Sequence, residues 1–520
     1  MNWNAVRTFV FMAVAATGLI TLTACGGGGG NVIQPPPPTG NFTNASLINN
    51  YAFFYQGSDA FGNALAASGE LVADGQGHIT SGLIDIDIFN SLPIVAAQIL
   101  STSTYSVNAD GQTSVTLNLN GAVSITLQLT LASSAHGLIT QFDFNGSGSG
   151  TIDAQNAGQL STALTGNFAI NVSGVDGGFE ETTIGGNLLV NTGGAILAGQ
   201  SVWDVAEAGF PIDSDDTGVN GSLTPDALNA GHGTISISSP TANINGSPLI
   251  FSYYVVDTTH LKIIEIDNAF FTAGEAFAAP GASTQLANAS YAYTASGESS
   301  RLTPQALGGV FVSNGSGGIT GGVQDLNRNG SGSNHIKQTL QASTATPDAN
   351  LARIDLILNA NGTKFEYAAY PTLDGRVLLS EIDGKQAVAS GTAFQQGAVN
   401  PVEGSFAINL SGLAVNKSAD FAQDIVGQVT IASGGATTGT LQINNAGVIP
   451  PTVPNVVLDS KSMLAALDSP TTGRGNPFTL ESTELGSSGF TLSYYVVDDS
   501  TVLLLEMDGL RVTTGLMLKQ

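Results

Sequence analysis

Four short segments place side chains at a spacing that could do chemistry. Glu265-Ile266-Asp267, Glu381-Ile382-Asp383 and Glu506-Met507-Asp508 each close an apolar run, and Gln141-Phe142-Asp143 is an amide-bearing relative. Residues i and i+2 of a strand share a face, so the Glu and Asp of each segment point the same way. Such a pair could coordinate a cation or hold a polar ligand if that face lines a cavity. A carboxylate buried there must be hydrogen-bonded or have its pKa raised. The competing reading makes the Asp a cap on the strand-to-turn transition, with the Glu bonding a tyrosine hydroxyl or a lysine. Gln141 favours that second reading, because its role needs no charge.

Other candidates are weaker. Asp74-Gly75-Gln76-Gly77-His78 and Asp213-Ser214-Asp215-Asp216 lack the alternating oxygen ligands and terminal Glu of a calcium loop. The first reads as a turn and the second as a solvated acidic loop. The five histidines (His78, His136, His232, His260 and His335) read as occupying different places, with no zinc-ligand spacing among them. Gly146-Ser147-Gly148-Ser149-Gly150 puts glycine where a nucleophile elbow needs serine. Sugar- or base-stacking faces usually need several exposed tryptophans or tyrosines, which speaks against polysaccharide. The expectation is a protein without catalytic residues, metal or cofactor.

The segments recur because the chain does. Ser252-Tyr253-Tyr254-Val255-Val256-Asp257 returns unchanged as Ser493-Tyr494-Tyr495-Val496-Val497-Asp498. A glycine follows each closing segment: Gly150, Gly274, Gly391 and Gly515. Each unit opens on an aromatic with a glycine six residues on: Tyr51 and Gly57, Phe168 and Gly174, Tyr291 and Gly297, Phe406 and Gly412. Closing aspartates recur at intervals of 124, 116 and 125 residues. Four cognate units follow, at 46–158, 159–283, 284–398 and 399–520, with the first two duplicated as a pair. High glycine (65 residues), few charges (10%) and abundant β-branched residues suit short strands and tight turns. Asp74-Gly75 and Asn314-Gly315 are hairpin signals, since both tolerate positive φ.

The third unit predicts eight strands, near 291–297, 305–313, 317–326, 335–343, 350–358, 363–370, 376–383 and 386–394. Pairing the first strand with the last would remove both edges of such a meander. The expected fold class is therefore all-β: four tandem antiparallel units, each an eight-stranded up-and-down barrel. The alternatives are a β-sandwich in each unit, or adjacent units sharing one larger sheet.

The N-terminus carries an address. Arg7 precedes the apolar run Thr8 to Leu22, and Leu22-Thr23-Ala24-Cys25 resembles a bacterial lipobox, with Cys25 the sole cysteine. The resemblance implies a signal peptide over 1–24, removal of which leaves an acylated Cys25 as the attachment to a lipid bilayer. More than one acyl chain makes such attachment stable. Gly26 after the cysteine resembles cargo of the outer membrane in two-membrane bacteria. Residues 25–45 form a Gly- and Pro-rich tether reaching about 70 Å at most from Cys25 to Ser46. The formal net charge of −26 repels nucleic acid and anionic headgroups, so neither is an expected partner.

The aromatic openers, the Asp-Gly-x-Gly-x-Ile turn at Asp74 to Ile79 and the Glu-x-Asp closers together resemble tandem glycine-rich β proteins secreted by soil Acidobacteria. That resemblance implies no activity. The expected function is display of β units on the cell envelope for structural or adhesive contacts. The alternative is a small-molecule binding protein that uses barrel interiors as lipocalin-like cups.

Overall fold

Alternation along the opening strands sets the core. Tyr51, Phe53 and Tyr55 are buried, while Phe54 and Gln56 on the opposite face are half-buried. The same two-residue period puts Ile354, Leu356, Leu358 and Ala360 inside the third unit. In a computed structural model the described residues are 41–520 without 90, 122, 179, 211–212, 240–247, 268, 300, 329–333, 384–386, 416–420, 447, 449–451, 469–471 and 484–488. Cys25 and the residues before it lie outside this set. Apart from one 3-10 turn, Asn44–Ser46, the regular structure described is all β.

Each unit is its own antiparallel sheet. In the first three units the opening strand pairs with both the second and the last, closing eight staves into a barrel. These opening strands are Ile48–Asp59, Gly166–Asp176 and Ser290–Glu298. In the fourth unit, Gly404–Ala414 pairs with Phe421–Ile431 and with Arg511–Lys519. Its end strands Thr452–Val457 and Arg474–Leu480 are unpaired with each other among the described residues. Single bridges, Ala436 to Met463 and Met463 to Thr479, span that gap, so the fourth barrel closes only in part.

Two expectations need correcting. The strand expected at 335–343 is two strands, His335–Thr339 and Ser343–Pro347, both lying beside Gly318–Arg328. The chain turns between and within them because Lys337 and Ala342 hold φ of 55° and 48°. Asp213–Asp216, read as a loop, is a short strand paired with Val202–Glu207.

The barrels are filled. One apolar cluster occupies each interior, and Tyr55, Tyr253, Tyr293, Tyr367 and Tyr494 are fully buried within them. A void of about 10 Å³ in the second unit, walled only by apolar side chains, is at the lower limit for a single water and far too small for a ligand. The lipocalin-like cup is therefore overturned: branched and aromatic side chains take the space a ligand would need.

The outward faces decide how the units assemble. Unit one packs on unit two through Ala52, Leu83, Tyr254 and Val256. Unit two meets unit three through Ala169, Phe277, Tyr370 and Leu378. Unit three meets unit four through Val310, Tyr495 and Leu503, and unit four returns to unit one through Val426, Ala407 and Leu138. In each case the early strands of one unit meet the late strands of the next. A head-to-tail interface repeated in this way either winds into a filament or closes, and here it closes at four.

A buried polar node sits at every seam. In the third strand region, Asp85, Asp204, Asp325 and Gln442 accept the backbone N–H of Ala96 (2.5 Å), Asp215 (2.8 Å), Lys337 (2.7 Å) and Asn455 (3.0 Å). All four donors have positive φ, between 52° and 60°. A non-glycine residue there costs about 1–2 kcal/mol, which a hydrogen bond to a buried acceptor offsets. The same acceptors then reach into the next unit. Arg353 forks onto Asp204 at 2.8 and 2.9 Å, and Arg474 onto Asp325 at 2.7 and 2.8 Å. Tyr370 and Tyr495 donate their hydroxyls to the same two carboxylates. At the first seam His232 stands 3.2 Å from Asp85, and Ser252 donates to it. At the closing seam the node is uncharged, with Gln442 donating to Gln112 at 3.0 Å. The repeated Ser-Tyr-Tyr-Val-Val-Asp is thus explained: its first tyrosine fills a barrel and its second faces a seam.

Candidate functional site: the carboxyl pairs and the axial cavity

The Glu-x-Asp segments end the penultimate strand of each unit, with the Glu on the inward face. Glu265 follows Leu261 and Ile263 on that face, Glu381 follows Val377 and Leu379, and Glu506 follows Val502 and Leu504. All three glutamates are buried. Glu265 accepts from the Phe270 N–H (3.1 Å) and the Thr272 hydroxyl (2.8 Å), and Gln305 donates to Glu381 at 3.4 Å. The Thr491 N–H donates to Glu506 at 2.7 Å. The aspartates cap turns: Asp143, Asp267 and Asp508 accept the N–H two residues on, from Asn145, Ala269 and Leu510, at 2.7–2.8 Å. Asp508 also holds Arg511 at 2.8 Å. Asp383 follows Glu381 by the same two residues.

Burial, and next the charge of the neighbouring aspartate, push Glu265 and Glu506 well above the ordinary carboxyl range. Burial therefore favours the neutral form of each glutamate, beside the aspartate two residues on. Gln141 supplies an uncharged group at the same place, donating to Asp143 at 3.1 Å. The pairs thus build turns. They do not converge on a common site.

The sign of the linkage is definite. A carboxyl whose folded pKa is raised stabilises the fold below its unfolded pKa, and that contribution is lost as pH rises through the folded value. Glu265→Gln should therefore match the wild type near pH 4 and exceed its stability increasingly as pH rises from there toward the folded value. Glu265→Ala should cost about 1–3 kcal/mol at pH 5 by leaving the Phe270 N–H and the Thr272 hydroxyl unpartnered. Urea midpoints at pH 5 and 8 check both; a Gln variant no more stable than wild type at pH 8 would refute the raised carboxyl.

The units do converge elsewhere. A cavity of about 690 Å³ lies at the centre of the ring, and Gly150, Gly274, Gly391 and Gly515 all line it. Its walls are the outward faces of the first and last two strands of the units. The glycines are needed because each closing strand crosses its opening strand at close range. A Cβ on Gly150 or Gly515 would come within 1.9 Å of the carbonyl oxygen of Phe54 or Asn409.

One mouth of the cavity carries a ring of equivalent residues. His136, His260, Arg376 and Thr501 each begin the penultimate strand of their unit. They lie opposite Asp153, Phe277, Phe394 and Leu518. His260 stacks on Phe277 with centroids 4.4 Å apart, and the Arg376 guanidinium lies 4.3 Å from the same ring. Behind them the buried Lys262 ammonium bridges Asp153 (2.6 Å) and Glu275 (2.9 Å). Burial opposes ionisation of these two carboxyls. The ammonium outweighs it, aided by His136 at Asp153 and His260 at Glu275, and holds both well below the ordinary range.

Asp153, His260 and Glu275 each bring one potential ligand atom within 4.8 Å of the others. Lys262 already supplies the positive charge that a metal ion would bring there. His136 and His260 correct the expectation that the histidines occupy different places. They and Arg376 and Thr501 recur at 124, 116 and 125 residues, the intervals of the closing aspartates. That spacing was the available signal. The change from His to Arg to Thr hid it.

No protein-family profile matches the chain, and no curated protein does. Among solved structures it is similar to isotype 1 transferrin binding protein B from serogroup B Neisseria meningitidis. The match has 10% identity and a TM-score of 0.19, and covers 74% of this chain and 83% of the other. A likeness that slight carries no argument about this chain.

Proposed function

We propose that this is a non-catalytic envelope lipoprotein, held in the outer membrane by acyl chains on Cys25, that binds a small ligand at the axis of its four-barrel ring. The observation that carries the reading is the cavity itself. All four repeats contribute equivalent strands to it, whereas the barrel interiors are filled. Its volume falls within the range of ordinary ligand sites. Adhesive contact is a second reading, favoured by exposed apolar side chains in turns at one end of the barrels. Phe61 and Leu302 follow opening strands, and Phe144 and Leu510 follow penultimate strands.

Native mass spectrometry of detergent-extracted protein tests the binding reading, with an adduct expected on the wild type. The adduct should vanish in Thr514→Trp, which fills the cavity wall of the fourth unit. A wild type without adduct, or an adduct indifferent to the substitution, would refute axial binding. Anchorage is tested separately: Cys25→Ser should move the protein from the detergent phase to the aqueous phase, and retention in detergent would count against acylation.

A further inference from the structure

We infer that the axial cavity accepts a neutral, polyhydroxylated ligand of the size of a short oligosaccharide. The inference rests on axial binding and adds the ligand's chemistry. Charge is the first constraint. The charged and titratable groups at the cavity already have partners: Lys262 with Asp153 and Glu275, His136 with Asp153 (2.5 Å), His260 with Glu275 (2.8 Å) and Arg376 with Asp374 (2.9 Å). An ionic ligand would lose its hydration there and gain no unpaired counter-charge. This holds even though the chain as a whole carries −26.

Polarity is the second constraint. Twelve lining residues are Ser, Thr, Asn or Gln, and they come from all four units, so the wall offers polar groups to a guest from every side. Hydroxyls such as Thr294, Thr392 and Thr514 line it and can both donate and accept, as a sugar hydroxyl requires. The third constraint is shape. Phe54 and Phe394, in separate units, are half-buried and line the lumen. Carbon-bound hydrogens on one face of a pyranose suit an aromatic surface, while its equatorial hydroxyls reach the polar band. The scarcity of exposed tryptophan and tyrosine, which argued against sugars from the sequence, is met by enclosure. Several phenylalanines and hydroxyls from four directions replace one large platform.

Saturation-transfer NMR on the full-length protein, with maltotriose, cellotriose and tri-N-acetylchitotriose as probes and citrate and inorganic phosphate as comparators, tests this. Transfer from aromatic protons to the ring protons of at least one trisaccharide is expected. The affinity should fall by about tenfold in Phe394→Ala. Thr514→Trp, checked for native circular dichroism, should abolish transfer and guards against misfolding of the first variant. Absence of transfer from all three sugars, or binding of citrate or phosphate in their place, overturns the inference. If the native adduct persists while the sugars fail, axial binding stands and the ligand class is wrong.

Discussion

Asp87→Asn should stabilise the protein at pH 8 by on the order of 3 kcal/mol and much less at pH 5. The expectation comes from comparing seams. Asn327 donates to the carbonyls of Glu506 (2.6 Å) and Arg511 (2.7 Å) across the third seam. Asn444 does the same to Gln141 and Gly146, both at 2.7 Å, across the closing one. Asp87 holds the corresponding place at the first seam, facing unit two, where the equivalent carbonyls belong to Glu265 and Phe270. A carboxylate cannot donate to a carbonyl, and both oxygens of Asp87 are buried without a partner. Burial, and next the charge of Asp267, push its pKa up to about 7. The folded state therefore holds a proton that the unfolded chain releases near pH 4. Stability from this group is present below that value and disappears as pH rises through 7.

His232 adds a trend of the same sign. Burial alone would lower its pKa, but Asp85 and Asp226 outweigh burial and raise it, so its ion pair is lost as pH rises through the folded value. The first seam should thus loosen in alkali while the arginine seams hold. Urea midpoints followed by the fluorescence of buried Trp203, from pH 5 to 9, measure this. A variant no more stable than wild type at pH 8 would show that Asp87 is not penalised.

Arg353→Met should destabilise the protein by about 3–5 kcal/mol at pH 7, the usual cost of stranding a buried charge. Asp204 is fully buried and Arg353 nearly so, and the fork between them is joined by Tyr370. Removing the guanidinium leaves the carboxylate one hydroxyl and the Asp215 N–H. Adding Asp204→Asn should recover most of the loss, because a neutral amide tolerates burial and the closing seam already runs on the amides Gln442 and Gln112. The same cycle at Lys337 and Asp468, where the lysine is 58% exposed, should give under about 1 kcal/mol. If the double variant is as unstable as the single one, the seam does not depend on charge balance. Trp203 lies next to Asp204 in the same strand, so the emission shift should report this seam directly.

Two-residue alternation and the spacing of aromatic openers and closing glycines determined a great deal on their own. They specify strands, four units, and first-on-last closure, since Tyr51 to Tyr55 can bury one face only if Gly150 lets the last strand cross close by. What alternation cannot encode is the environment of the other face. Asp85, Asp204 and Asp325 sit at outward positions, where alternation alone would leave an acid in solvent, yet all three are fully buried. Their counter-ions come from the following unit, about 150 residues away. The positive φ at Lys337 has no glycine to announce it and exists because Asp325 holds that N–H. Head-to-tail closure into a ring, and with it the axial cavity, was decided by tertiary structure, because complementarity between two outward faces appears only once both barrels have folded.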